Sequence, residues 1–306
     1  MNAGDVFFQQ LINGVTIGMI YALIALGYTI VYGIVQLINF AHGEVFMVGA
    51  YLGLLAYSIA NQLSLNAYGV MVFLPIIFLF TMSLTALLGF TIERFAYQPL
   101  RNAPRLAPLI TAIGVSFLLQ NAVMIIVGPS DQSFPSLLEI KKYYIGPSVT
   151  ITNLQCLISF VSIVLMVGLH LFIKHTQTGR AMRALADDRQ AASLMGINVN
   201  KIISIAFLIG SALAGAGGVM FAMYYNTINF HDGYLAGLKA FTAAVFGGIG
   251  NIPGAMIGGV LIGVFEGLGA GYLSSEWKNV FAFFILILIL LFRPSGLLGS
   301  RVVKKV

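Results

Sequence analysis

Long apolar runs alternate with short polar loops along the whole chain. We interpret eight of these runs as full membrane spans, because a helix needs about 20 apolar residues to cross ~30 Å of hydrocarbon. The eight runs lie at residues 11–34, 44–60, 66–92, 107–128, 151–173, 201–225, 254–274 and 279–293, and a shorter run lies at 239–250. They lack the alternating segments of an outer-membrane barrel, and helices satisfy their own backbone groups in lipid. The pattern predicts an all-α polytopic membrane protein with about eight transmembrane helices plus a half-span.

The composition excludes a water-soluble domain. Hydrophobic residues make up 59% of the 306 positions and charged residues 8%, whereas roughly a quarter of the residues of a soluble domain are charged. The single cysteine, Cys156, has no partner for an internal disulfide. The first fifteen residues contain Asp5 and no Lys or Arg, unlike a secretory signal peptide, so we expect the first span to be retained.

The basic residues lie in short loops between the apolar runs, which is typical of cytoplasmic loops. They are Arg94, Arg101 and Arg105, the stretch from Lys174 to Arg189, and Arg293, Arg301, Lys304 and Lys305 near the C-terminus. Counting spans from these loops places the N-terminus outside, residues 35–43 inside and the C-terminus inside. It also requires the half-span at 239–250 to cross. The net charge of +6 therefore reflects membrane orientation and not nucleic-acid binding.

Two segments have the pattern helix, break, helix: "YGIVQLINFAHGEVFMVGAYLG" and "LKAFTAAVFGGIGNIPGAMIGGVLIG". Interrupted helices at corresponding positions of two halves point to a transport pathway. In the first segment we expect a turn from Asn39 to Gly43, in which Asn39 and His42 bond freed backbone groups. Glu44 then meets the positive end of the following helix dipole. In the second segment the candidate pathway residues are Gly247, Gly248, Asn251 and Pro253. Two interpretations stay open for both breaks: a capped, packed turn, or the lining of a gate.

Small residues recur at every fourth position of several helices. The clearest series is Gly259, Gly263, Gly267 and Gly271, and a second is Gly210, Ala214, Gly218 and Ala222. Such faces let helix backbones approach closely in lipid. We interpret them as helix-packing faces, either inside this bundle or at a subunit interface.

The sequence contains no assembled set of reactive groups. No lysine follows a glycine, so the chain lacks the loop that cradles ATP phosphates. The histidines at positions 42, 170, 175 and 231 lack metal-ligand spacing, and we predict no metal site. Glu93 and Arg94 lie at a span end, where we expect both to reach water. Glu266 lies well inside a span, where a charge costs about 3 kcal/mol, so it must be neutral, paired or beside a wet cavity.

The longest charged stretch is the predicted inner loop at 174–200. We predict a helix from Gly179 to Met195 that ends at Gly196 as a glycine C-cap. A solvated helix at the membrane surface is one interpretation. However, "QAASLMG" resembles the Glu-Ala-Ala, three residues, Gly pattern with which membrane subunits of bacterial ABC importers dock on their ATPase, with Gln190 in place of the Glu. The resemblance implies a docking site formed by Arg183, Asp187, Gln190, Ala191, Ala192 and Gly196.

A more specific resemblance covers essentially the whole chain. The segments "NGVTIGMIYALIALGYTIVYGIVQLINFAHGE", "ERFAYQPLR", "LITAIGVSFLLQN", "ASLMGIN", "KAFTAAVFGGIGNIPGAMIGG" and "RPSGLLG" are similar to the bacterial branched-chain amino acid permeases, in particular the H-type (Liv-type) subunit of that ABC importer. The resemblance implies one transmembrane permease domain over residues 1–306, in the inner membrane. It also implies a second homologous permease subunit, two cytoplasmic ATPases that bind ATP and magnesium, and an external substrate-binding protein. No cofactor is expected on this chain.

Two other transport functions remain open. A related permease for urea or short amides would share the fold and the break pattern. A proton-coupled secondary carrier would use Glu266, His42 and Glu44 as a relay, and such a carrier would work without an ATPase. A membrane-embedded enzyme is disfavoured because the sequence offers no set of reactive groups.

Overall fold

The computed structural model describes residues 2–299 apart from 37, 38, 102, 105, 147 and 294. Within them lie eleven α-helices: α1 (Ala3–Val35), α2 (His42–Gln62), α3 (Val70–Ile92), α4 (Leu106–Val127), α5 (Asn153–His175), α6 (Gln177–Asp187), α7 (Arg189–Leu194), α8 (Val199–Tyr225), α9 (Asp232–Gly247), α10 (Ile252–Tyr272) and α11 (Lys278–Phe292). Shorter elements are 3-10 turns at Leu65–Tyr68, Gln98–Leu100 and Ser275–Trp277, a π-helical turn at Glu93–Tyr97, and the strands β1 (Gln132–Ser133), β2 (Lys142–Ile145), β3 (Val149–Thr152) and β4 (Thr227–Ile228). Arg105, Arg301, Lys304 and Lys305 lie outside the described residues.

Seven of these helices are long and apolar enough to span a membrane: α1, α2, α3 with its continuation to Leu100, α4, α5, α8 and α10. The prediction of an all-α polytopic membrane protein is confirmed. The eighth predicted span is the shorter helix α11, whose 15 residues rise about 22 Å. The predicted half-span is α9. It begins at Asp232 and not at 239, because the Asp232 carboxylate accepts a hydrogen bond from Asn229 N at 2.7 Å and closes the turn that starts the helix.

Helix α1 forms the centre of the bundle, and its buried stretch runs from Gly14 to Ile34. It packs against α8, α9 and α10. The glycine face of α10 lies directly on α1, so closely that a Cβ on these glycines would overlap atoms of α1. The contacts join Gly259 to Ala22, Gly263 to Gly18, Gly267 to Gly14, and Gly271 to the side chain of Gln10. This small-residue face therefore packs within the chain.

The helix ends gather at two poles. At one, β1 pairs with β4 and β2 with β3 in short antiparallel ribbons. At the other lie α6, α7, the turn after α1 and the turn between α9 and α10. We call the second the inner pole, because it carries the basic loops that predict a cytoplasmic location.

The first break lies between α1 and α2, and its described residues are Gln36 and 39–41. Helix α1 ends at Val35, as predicted, and Gln36 adopts the left-handed conformation with φ 57°. The expected start of the next helix near Glu44 is wrong by two positions. Val45 N donates to Ala41 O at 3.1 Å, so His42 and Gly43 already belong to the first turn of α2.

The predicted single helix at 179–195 is two helices. Asp188 leaves the helical conformation (φ −152°), and its side chain accepts hydrogen bonds from Gln190 N and Ala191 N, which makes it the N-cap of α7. Gly196 has φ +83°, and Ile197 N donates to Ala192 O at 3.1 Å. This is the hydrogen bond of a glycine-terminated helix, so the predicted C-cap is confirmed.

Candidate functional site

Asn39 holds the first break and ties it to the end of α3. Its Oδ1 accepts a hydrogen bond from Ala41 N at 3.1 Å and another from the Tyr97 hydroxyl at 2.6 Å. Tyr97 is the last residue of the π-helical turn, and its ring packs on Phe207 of α8. Sequence reasoning predicted the backbone bond of Asn39 and missed Tyr97, although Tyr97 lies in the quoted segment "ERFAYQPLR".

His42 and Glu44 lie buried in the first turn of α2. The His42 ring contacts Gly27 and packs edge-on against Tyr28, with ring centroids 4.8 Å apart. Glu44 Oε1 accepts a hydrogen bond from Ser116 Oγ at 3.2 Å. Among the described residues, His42 Nε2 and Glu44 Oε2 have no hydrogen-bond partner.

The N-terminal turns of α2 and α9 meet inside the bundle. A Cβ on Gly43 would overlap Gly233 O and lie 2.8 Å from Gly237 Cα, and a Cβ on Gly233 would overlap Glu44 Oε2. These positions require glycine because the two backbones touch. The second helix of the first interrupted region, α2, and the first helix of the second, α9, thus begin at one place, next to the Glu44 carboxylate.

A cavity of about 270 Å³ lies beside this meeting point. We call it the central cavity. Its lining is largely aromatic and aliphatic, and comes from α1, the first break, α4 and α9. The lining residues are Tyr28, Phe40, Ile113, Ser116, Phe117, Gln120, Tyr234, Gly237, Leu238 and Phe241. Asn39, His42 and Glu44 are not in this lining, and Glu44 lies behind Ser116.

A second cavity, of about 790 Å³, opens at the inner pole. We call it the inner cavity. It is lined by the end of α1, by α5 and α6, and by the second break, including Gln36, His170, Lys174, Arg183, Asp187, Gly250, Asn251, Pro253 and Leu298. Arg183 donates to Ile173 O, and this bond joins α6 to α5.

A constriction separates the two cavities. Tyr28 and Phe241, which line the central cavity, and Tyr32 and Ile249, which line the inner cavity, enclose with Ala244 a space of about 10 Å³. A water molecule needs at least about 10–15 Å³ and several polar partners. The constriction therefore holds at most one water molecule and is too narrow for an amino acid.

The second break is completed by the segment after α11. Leu297 N and Leu298 N donate to Phe246 O and Gly247 O at 2.8 and 3.0 Å. Asn251 Oδ1 caps α10 by accepting from Gly254 N at 2.9 Å, and Asn251 Nδ2 donates to Leu298 O at 2.7 Å. Gly248 and Gly250 have positive φ, and Pro253 lies in the first turn of α10, where its missing N–H costs nothing.

The loop at 177–196 divides its apolar residues between two surfaces. Ala192 is buried against the chain, whereas Gln190 and Ala191 are exposed. Leu194 and Met195, which lie outside the apolar spans, are 89% and 83% exposed. Such exposure is unusual for large apolar side chains outside the membrane. Sequence reasoning did not assign these two residues to the docking site. The signal was there: two large apolar residues just before a helix-ending glycine.

Two buried acids have cationic partners that sequence reasoning missed. The expectation that Glu93 reaches water is wrong: it is fully buried, pairs with Arg101 and accepts from Ser204 Oγ at 2.6 Å. Burial lowers the pKa of the Arg101 guanidinium, and the Glu93 charge opposes that shift.

Glu266 Oε1 lies 2.9 Å from Lys239 Nζ, which is also 3.3 Å from the Tyr21 hydroxyl. Of the three states allowed for Glu266, the structure has the paired one.

The described residues contain no cluster of three or more His, Cys, Asp or Glu side chains that could hold a metal ion. The geometry is that of a membrane protein with two cavities on either side of a closed constriction.

Comparison with known proteins identifies the family. Residues 10–290 match the family described as "Branched-chain amino acid transport system / permease component". The chain is 48% identical to the high-affinity branched-chain amino acid transport system permease protein BraD of Pseudomonas aeruginosa and 45% identical to LivH of Escherichia coli, each over 98% of both chains. It is also 27% identical to the permease protein LivM of Escherichia coli, over 92% of this chain and 68% of LivM.

Proposed function

The chain belongs to the family of branched-chain amino acid transport system permease components, and from that premise we propose that it is the membrane-spanning subunit of an ATP-driven importer for branched-chain, hydrophobic amino acids. It is a transport subunit and not an enzyme. The observation that carries the proposal is the pair of cavities on either side of the constriction at Tyr28, Tyr32, Phe241, Ala244 and Ile249.

The translocation pathway runs from the central cavity through the constriction to the inner cavity. The central cavity suits an aliphatic side chain, because Phe40, Phe117, Leu238 and Phe241 dominate its wall. Asn39, His42 and Glu44 form the frame behind this wall. Gly250, Asn251 and Pro253 lie at the inner cavity. Gly248 lets the chain turn there between α9 and α10, and Gly247 lets the backbone at Gly254 approach closely.

The partners follow from the same proposal. A second, homologous permease subunit covers the exposed face of α4 beside the central cavity, and the relationship to LivM supports such a pairing. Two cytoplasmic ATPases supply ATP and magnesium chemistry and dock on α6 and α7 through Arg183, Asp187, Gln190, Ala191 and the turn at Gly196. An external binding protein delivers the substrate. The basic loops support an inner-membrane orientation with the C-terminus in the cytoplasm.

Reconstitution tests this function. The chain is purified with its second permease and two ATPases, placed in liposomes and supplied with a loaded binding protein. We expect uptake of labelled leucine that requires ATP and every subunit and that excess urea does not inhibit. Uptake by this chain alone, driven by a proton gradient, would instead establish a secondary carrier. Inhibition by urea would favour the amide permease.

The Tyr97–Asn39 hydrogen bond allows a test of whether the end of α3 at the inner pole is coupled to the first break beside the pathway. Tyr97→Phe removes one hydrogen bond, worth about 1 kcal/mol, between the π-helical turn and the first break. We expect uptake per ATP hydrolysed to fall about fivefold while assembly is unchanged. The matched control is Tyr57→Phe, since the Tyr57 hydroxyl has no hydrogen bond with the described residues and its ring packs on Phe73. Equal effects of the two substitutions would contradict the coupling role.

A further inference from the structure

Glu44 differs from the other buried glutamates in lacking a cation. Three glutamates are at most 2% exposed among the described residues: Glu44, Glu93 and Glu266. Glu93 pairs with Arg101 and Glu266 with Lys239. Glu44 has one hydroxyl donor, Ser116, and its Oε2 has no partner within the described part of the chain. A buried carboxylate without a cation is costly, so Glu44 is either neutral or paired with a cation that the described residues do not supply.

The surroundings of Glu44 place it within reach of a molecule in the central cavity. Ser116 lines that cavity, and its Oγ lies 3.2 Å from Glu44 Oε1, a long hydrogen bond for two oxygen atoms. Oε1, on the side of Ser116, is therefore the carboxylate oxygen nearer to the cavity. Oε2 faces the opposite side and packs against Gly233 of α9.

We propose that Glu44 is a transient binding site for the α-ammonium group of an amino acid in the central cavity. This inference rests on the proposed function and adds to it a group that recognises the substrate backbone. The ammonium approaches past Ser116 and binds the carboxylate, while the aliphatic side chain lies against Phe117, Leu238 and Phe241. The cargo thereby supplies the cation that Arg101 and Lys239 supply to the other two acids.

The charge distribution of the region supports an ammonium and not an anion at this place. The positive dipole ends at the N-terminal turns of α2 and α9 stabilise the ionised form of Glu44, and the negative charge of this carboxylate is the charge that a ligand meets. A carboxylate ligand beside Glu44 would face another carboxylate. An ammonium there makes charge-assisted hydrogen bonds, which are stronger than neutral ones.

The test measures ligand protection and does not depend on transport. In the assembled importer with Cys156→Ser, a cysteine is introduced by Phe117→Cys, and its labelling by a small water-soluble maleimide is read by mass on this chain. The probes are leucine, 3-methylbutylamine, which has the ammonium only, and 4-methylpentanoate, which has the carboxylate only. We expect leucine and the amine to slow labelling at least fivefold and the acid to leave it unchanged.

Variants of Glu44 complete the test. Glu44→Gln should abolish protection by leucine and by the amine, whereas Glu44→Asp and Ser116→Ala, which keep the charge, should retain it. Equal protection by the amine and the acid, full protection in Glu44→Gln, or absence of labelling under all conditions would overturn the proposal. If Glu44→Gln fails to assemble, the comparison of amine with acid in the Glu44 background still decides. ATP-dependent leucine uptake without amine-specific protection would reject this site and leave the proposed function standing.

Discussion

Glu266→Leu will remove most of the folded protein from the membrane, and the double substitution Lys239→Met with Glu266→Leu will restore it. Glu266 is paired with Lys239 at 2.9 Å, and both side chains are buried. Removing one member of a buried pair leaves an uncompensated charge and costs about 3–5 kcal/mol, whereas replacing both with apolar groups is often close to neutral. The measurement is the yield of monodisperse protein after gel filtration, together with its thermal unfolding midpoint.

Glu266→Gln separates the structural role from a proton relay. The glutamine oxygen still accepts a hydrogen bond from Lys239, so we expect this variant to fold better than Glu266→Leu and to keep ATP-driven uptake. Equal stability of Glu266→Leu and the double variant would show that the pair does not hold α9 to α10. A secondary carrier would be favoured by two results together: Glu266→Gln loses uptake although it folds normally, and the unsubstituted chain requires a proton gradient.

Leu194→Asp together with Met195→Asp will release the ATPases without affecting membrane insertion. The two side chains are almost fully exposed beside the end of α7, as expected of an apolar surface that a partner covers. Buried apolar anchors at interfaces are each worth about 2 kcal/mol or more, so ATPase affinity should fall at least about 30-fold. The control is Ile145→Asp, an equivalent change at an exposed position of β2 at the opposite pole.

Substitutions near Gly196 should have different effects on the exposed and on the buried side of α7. Ala191→Glu adds a charge to the exposed side and should also prevent ATPase co-purification. Ala192→Glu would bury a charge against the chain, so we expect loss of folded protein. Gly196→Val forces a β-branched residue into φ +83°, which costs about 1–2 kcal/mol and should move α7. Wild-type co-purification and uptake in the aspartate and valine variants would remove the docking assignment.

The sequence predicted those parts of the fold that depend on neighbouring residues. Apolar runs predicted the membrane helices, the end of α1 followed from its polar break, and the cap at Gly196 followed from a glycine after an apolar residue. The single helix at 179–195 was wrong because Asp188 competes for the backbone as an N-cap. An aspartate can lie inside a helix or cap the start of a new one, and the spacing of apolar residues does not distinguish these two positions.

Features that depend on distant contacts could not be predicted in this way. Lys239 lies 27 positions before Glu266, at the first position of the run that we interpreted as a half-span. Tyr97 meets Asn39 over 58 positions. The central cavity forms only where α1, α4 and α9 come together, and no local pattern encodes which of their faces meet. Glu44 could be chosen from its position after a break, but its lack of a cation is visible only in three dimensions.

The contact between the second break and residues 295–299 bears on how the protein is made. Asn251 and Leu298, which share a hydrogen bond, are 47 positions apart, and at about 5–20 residues per second the ribosome needs about 2–9 seconds to bridge that interval. During this time Phe246 O and Gly247 O lack the amides that later bind them. The second break is thus completed late in biosynthesis, and a chain that ends after α11 would have its helices in place and this break without these hydrogen bonds.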